Sequence, residues 1–123
     1  MKDYMLGLKK WAVVGASDKP EKFGYKICKK LLEHGYEVYP VNPRLDEIEG
    51  IRVYPSLTSI PVKIDVVDFV VNPSIGKSIL KEVKQLGIEN IWLQPGARSE
   101  EIKQIASDSN INMVKDCVLV SLP

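Results

Sequence analysis

The chain has 123 residues, 45% of them hydrophobic and 27% charged, with a formal net charge of +1. That composition excludes a disordered chain and leaves room for one ordinary core, so residues 1–123 are expected to form a single domain. Near-neutral charge excludes a global basic field for nucleic acid, and apolar runs broken by aspartates are too short to span a bilayer.

The N-terminus, Met1-Lys2-Asp3-Tyr4, carries no apolar leader and cleavage site. The expected location is cytoplasmic, with the first few residues frayed. The first strand is Trp11-Ala12-Val13-Val14-Gly15, followed by a loop rich in Ser, Asp, Lys and Pro. Ile27, Cys28, Leu31 and Leu32 then fall on one helical face, and Gly35 ends that helix. The second strand is Tyr36–Val41, closed by Asn42-Pro43. From Arg44 to Pro61 the pattern is irregular, with a short strand at Ile51–Tyr54.

The third main strand is Asp65–Val71, closed by Asn72-Pro73. Ser74 is the expected cap of a helix with Ile75, Ile79, Val83 and Leu86 on one side and Gly87 at its end. The fourth strand is Asn90–Leu93. Gln94-Pro95-Gly96-Ala97-Arg98 leads to a third helix, capped by Ser99, with Glu100 and Glu101 in its first turn. The last strand is Ile111–Val114, and Cys117 is read as closing it. Near-continuous apolar strands alternating with helices mean an α/β fold: a Rossmann-like, doubly wound, mainly parallel five-stranded sheet with helices on both faces.

Ligands of such sheets bind outside the carboxyl ends of the strands. The loops leaving those ends are rich in Gly, Pro, Asn and Ser and contain no evident acid, base or nucleophile, which describes a binding rim. In the first loop, Gly15 permits a tight turn and Ser17 offers a hydroxyl and an N–H group. Gly24 lets the helix approach closely, and Lys19 and Lys22 add charge. This glycine-rich turn is a phosphate cradle, although it matches neither Gly-x-Gly-x-x-Gly nor a Walker A loop. After the second strand, where an NAD domain places an acid, stand Asn42, Pro43 and Arg44. A guanidinium there suits an additional ribose phosphate, which leaves NADP and coenzyme A as candidates.

The remaining chemistry-bearing side chains have structural readings. Cys28 lies on an apolar helix face, Cys117 is assigned mainly to packing, and His34 sits at a helix end. Trp11 and Trp92 belong to strands. Asp65 and Asp68 lie away from the ligand edge and are not an acid–base pair, and Asp116 has no visible partner. No metal spacing exists.

Taken together, Trp11–Ser17, Gly24-Tyr25, Gly35–Pro43 and Ile91–Gly96 resemble the small bacterial and archaeal CoA-binding domain proteins. These are related to the N-terminal part of the succinyl-CoA synthetase α subunit and of ADP-forming acyl-CoA synthetases. The resemblance runs from about Leu8 to Val118 and implies a Rossmann-like fold that binds CoA. It assigns cofactor contacts to Gly15, Ala16, Ser17, Lys22 and Gly24, and to Val41, Asn42, Pro43 and Arg44. It adds Asn72 and Pro73 after the third strand, and Pro95 and Gly96 after the fourth. The synthetases' phosphorylated histidine lies in a domain absent here, and His34 is on the wrong side of the first helix to replace it.

The reading is therefore a non-catalytic protein that binds CoA or acyl-CoA. The alternatives are an NADP-binding protein or a partner-dependent subunit of an acyl-CoA ligase or reductase. Expected partners are the CoA ligand and either a second copy of the chain or another protein; nucleic acid and membrane are not expected. The apolar tail Val118–Pro123 departs from the family pattern and must pack somewhere.

Overall fold

The computed structural model describes residues 1–123. In chain order the elements are α1 (Lys2–Leu6), β1 (Lys10–Val14), α2 (Phe23–Glu33), β2 (Glu37–Val41), β3 (Glu47–Ile48) and β4 (Ile51–Arg52). A 3-10 turn (Leu57–Ser59) precedes β5 (Val66–Phe69), α3 (Pro73–Gln85), β6 (Asn90–Leu93), α4 (Glu100–Asp108), β7 (Asn112–Lys115) and α5 (Val118–Ser121). Five strands form a sheet in the order β2-β1-β5-β6-β7, and each adjacent pair is parallel. The fold is α/β and Rossmann-like. The chain runs outward from β1 to β2, then returns to place β5 on the other side of β1, so the switch point lies between β1 and β5.

Alternation along the strands divides the core into two layers. Trp11, Val13, Val66, Trp92 and Val114 face Ile27, Cys28 and Leu31 of α2. Ala12, Val14, Val67, Phe69, Ile91 and Leu93 face Leu80 and Val83 of α3 and Ile102 and Ala106 of α4. Every residue of β5 and β6 is buried, as a strand covered on both faces requires. Full burial of one such large apolar side chain contributes roughly 1.5–3 kcal/mol. Trp11 and Trp92 meet as a tilted pair at 5.5 Å between ring centroids, and both are completely buried in the core.

Several expected details change. The first residues are not frayed: they form α1, and Met5 is completely buried in the α2-side layer. The cap of α3 is Asn72, whose side chain accepts from Ile75 N, with Pro73 as the first helical residue. Ser74 is already inside the helix, because proline favours the first helical position and leaves the residue before it as the cap. The buried face of α3 is Gly76, Leu80 and Val83, while Ile75 and Leu86 are 49% and 39% exposed. Leu32 of α2 also faces outward.

The irregular stretch contains an antiparallel β3–β4 hairpin whose turn residues Glu49 and Gly50 both have positive φ. At the C-terminus β7 ends at Lys115, and Cys117 is the residue before α5 rather than the end of the strand. The apolar tail packs within the chain: α5 lies against α2, with Val118 and Leu122 in the core. Asp116 does have partners, since it accepts from Cys117 N at 2.8 Å and pairs with Lys2 Nζ at 3.2 Å, tying the two ends of the chain together. These contacts, the Cys117 N–H first, hold the Asp116 carboxyl below the usual carboxylate range.

Candidate functional site

A cavity of about 530 Å³ opens along the carboxyl edge of the sheet, over the switch point. Each strand of the sheet contributes through the residues that follow it. β2 supplies Asn42, β1 the turn Gly15–Ser17, β5 Val70–Asn72 and β6 Gln94–Ala97, and Cys117 follows β7. Lys22, Phe23, Gly24 and Ile27 close the cavity from α2.

The turn after β1 is set by two glycines. Gly15 has φ of +99°, and a Cβ there would collide with the Val70 carbonyl. Gly24 stands so close to β1 that a Cβ would overlap the Gly15 carbonyl oxygen. The first turn of α2 is thereby laid directly over the end of β1. That turn is uncapped: no side chain bonds its N-terminus, and the N–H groups of Phe23 and Gly24 donate to nothing within the chain. The N–H groups of Ala16 and Ser17 are equally free, and Ser17 Oγ accepts only from Lys19 N at 3.1 Å. Free N–H groups, a helix N-terminus and the exposed Lys22 form a concave surface suited to an anion.

Asn42 has a bracing role. Its Nδ2 donates to Ala16 O at 2.8 Å and its Oδ1 accepts from Arg44 N at 2.8 Å, so it bolts the end of β2 to the glycine turn. No carboxylate lines the cavity. Arg44 is exposed just beyond, with no acidic partner.

Of the residues expected at the site, Gly15, Ala16, Ser17, Lys22, Gly24, Asn42, Asn72, Pro95 and Gly96 line the cavity. Val41, Pro43, Arg44 and Pro73 do not; Val41 is buried in the sheet, and Pro43 and Arg44 stand outside the rim. Sequence reasoning missed Phe23, Ile27, Val70 and Val71; it placed Gln94 and Ala97 in the ligand-edge loop after the fourth strand without assigning them a contact, and read Cys117 mainly as packing. Gln94 is 3% exposed, and its Oε1 accepts from Val118 N at 3.2 Å. The only available signal for Gln94 was a polar residue directly after an apolar strand.

Asp68 lies one step below the cavity, on the same face of β5 as Val70, with Val13 and Trp92 as its register neighbours. It is fully buried, and neither carboxylate oxygen has a hydrogen-bond partner. Burial raises its carboxyl well above the usual range, which favours the protonated form. Burial, and then Asp68, push the Cys28 thiol up to about 12, leaving it inert. Asp65 is separate from this group, accepting from Lys10 N at 3.0 Å. No group of His, Cys, Asp and Glu side chains is arranged to hold a metal, and no helix is long and apolar enough to cross a membrane. A second cavity, of about 480 Å³, lies between α3 and α4 beside Lys77, Lys81 and Lys84.

Residues 9–123 match the family described as a CoA binding domain. The alpha subunit of an ADP-forming acetate–CoA ligase II from Pyrococcus furiosus is 38% identical over 130 residues, covering 96% of this chain and 28% of that subunit. This chain thus spans little more than a quarter of that ligase subunit. An uncharacterized Bacillus subtilis protein, YneT, is 30% identical across 98% of this chain and 90% of its own length. A solved structure of a conserved hypothetical protein from Pyrococcus furiosus superposes with a TM-score of 0.87 at 42% identity, covering 93% of this chain and 99% of that one.

Proposed function

Because the chain belongs to the CoA-binding domain family, we propose that it binds coenzyme A or an acyl-CoA without itself catalysing a reaction. The observation that carries this reading is the uncapped first turn of α2, which opens onto the cavity beside the free N–H groups of Ala16 and Ser17. On this reading the pyrophosphate completes the hydrogen bonding of that turn, and Lys22 adds charge. Arg44, just outside the rim, holds the ribose 3′-phosphate. Asn72, Pro73, Pro95 and Gly96 shape the opposite wall, and Val41 and Pro43 fix the approach to Arg44. The absence of a carboxylate from the cavity lining favours CoA over NAD.

Thermal unfolding with CoA, dephospho-CoA, NAD, NADP and ATP tests this assignment. CoA at one hundred times its dissociation constant stabilises the fold by about 2.7 kcal/mol and raises the midpoint by several degrees. Arg44→Ala is expected to weaken CoA about tenfold and leave dephospho-CoA unchanged. A shift with NADP and none with CoA overturns the assignment.

A second reading has observational support in the likeness to the ligase alpha subunit. There the chain serves as the CoA-holding part of an ADP-forming acyl-CoA ligase, with ATP handled by a partner chain. Its test is acyl-CoA formation from a carboxylic acid, CoA and ATP when a candidate partner is added.

A further inference from the structure

The cavity has two chemically different ends. Around β1 and α2 it offers free N–H groups and Lys22, the one charged residue of the lining. The other end, between β6 and β7, lies up to three strand spacings away, about 14 Å. Its lining residues, which follow β6 and β7, are Gln94, Pro95, Gly96, Ala97 and Cys117 and carry no charge. Such polarity fits a ligand with an anionic head and a neutral, reactive tail.

At the neutral end the Gln94 amide has a fixed orientation. Its Oε1 accepts from Val118 N at 3.2 Å, so its Nε2 is the end left over, and that nitrogen donates to nothing within the chain. The side chain is 3% exposed and lines the cavity. Cys117, the residue before Val118, also lines the cavity, and this hydrogen bond ties the segment that carries it to Gln94. An amide donor that faces the cavity without a partner in the chain, with a thiol on the same cavity lining, is complementary to a neutral carbonyl next to sulfur.

We propose that this end of the cavity seats an acyl thioester, with Gln94 Nε2 donating to the thioester carbonyl oxygen and Cys117 packed against the sulfur. The ligand is then acyl-CoA in preference to free CoA. This rests on the CoA assignment above and names the ligand class within it. A site built around a hydrogen bond discriminates against the analogue lacking the matching group, because its own donor is then left unpaired.

The experiment is calorimetric titration of the native chain with CoA, acetyl-CoA and S-ethyl-CoA, a thioether of similar shape without the carbonyl. Acetyl-CoA is expected to bind about five- to tenfold more tightly than either of the others. Gln94→Glu keeps an acceptor for Val118 N–H but removes the donors, and is expected to abolish the preference for acetyl-CoA over S-ethyl-CoA. Gln94→Met, neutral and without donors, separates loss of the donors from the added charge and should do the same.

Alkylation of Cys117 by iodoacetamide gives an independent position: acetyl-CoA is expected to slow it at least fivefold. The reading is clean because the buried Cys28 thiol does not compete. Equal affinity for acetyl-CoA and S-ethyl-CoA, equal losses for all three ligands in both variants, or unprotected Cys117 would overturn the thioester seat and leave CoA binding standing. Absence of binding by all three would remove the CoA assignment itself.

Discussion

Of the helices that begin at the carboxyl edge of the sheet, the three longest begin differently. α3 and α4 are sealed: Asn72 accepts from Ile75 N and Ser99 accepts from Ile102 N. α2 starts at Lys22, whose side chain caps nothing. The same asymmetry extends to the two layers of the core. The unpartnered buried side-chain atoms, the Asp68 carboxylate oxygens and Ser121 Oγ, belong to elements of the α2–α5 side, and the layer under α3 and α4 has none. A polypeptide has easy ways to cap a helix, and this one uses them twice. Where it omits the cap, the helix end lies against a cavity, and hydrogen bonding is left for something outside the chain to complete.

The comparison is broken most severely by a methyl group. Gly24 and Gly76 both lie in the first turns of their helices. A Cβ on Gly24 would overlap the Gly15 carbonyl, whereas one on Gly76 meets Ile102 Cδ1 at 3.4 Å, the far end of a flexible side chain. Gly24→Ala is expected to cost about 3 kcal/mol in chemical denaturation and to lose ligand binding, because α2 must back away from β1. Gly76→Ala is expected to be neutral, or stabilising by up to about 1 kcal/mol through helix propensity. Equal effects at the two positions would show that the close approach of α2 is not what the cavity depends on.

The second-largest expected effect concerns Asp68. Its folded pKa is raised above the ordinary 3.8, so between that value and the raised one the folded state carries a proton the unfolded state has lost. Its contribution is fully present below about pH 4 and is lost as pH rises toward the folded value. The charged or titratable neighbour bearing on it is Cys28 from α2, itself neutral over this range. Asp68→Asn is therefore expected to match the native chain near pH 4 and to gain stability over it as pH rises to 7. A constant difference across urea titrations from pH 4 to 7 would remove Asp68 as a buried, protonated acid.

Much of this was legible in the sequence, and what was not has physical causes. Near-continuous apolar strands and glycines at helix ends sufficed for the sheet, because both signals are local and strong. Gly15, Ser17 and Gly24 were found because a close backbone approach leaves a mark in residue type. α1 and α5 were not foreseen: with five and four residues, neither is a stable helix alone, and each is held only by docking Met5 or Val118 into the core. The position of Pro73 did carry the true start of α3, one signal that was present and misread. Gln94 and Cys117 were hidden because their relation depends on Val118 folding back over β6, a contact between segments far apart in sequence. Asp68 was read only as lying away from the ligand edge; its complete burial without a partner is something no local pattern reports.

The smallest expected effect is the sharpest test of the comparison. Lys22 already has the extended backbone of a cap residue, φ −85° and ψ 147°, but offers no acceptor. Lys22→Asp supplies one, so a carboxylate can take the N–H groups left free at the start of α2. The unliganded variant is expected to gain about 1 kcal/mol, the mirror image of the loss of about 1 kcal/mol expected for Ser99→Ala at α4. The two changes should part on addition of CoA. Ser99→Ala removes a cap outside the cavity lining and should leave affinity within about twofold of native. Lys22→Asp fills the open helix end with the protein's own anion and removes a cation, so affinity should fall by more than about tenfold. A variant that gains stability by losing its ligand would show that the open end of α2 is held in reserve for an anion. Stability gained with affinity intact would place the phosphates elsewhere along the edge.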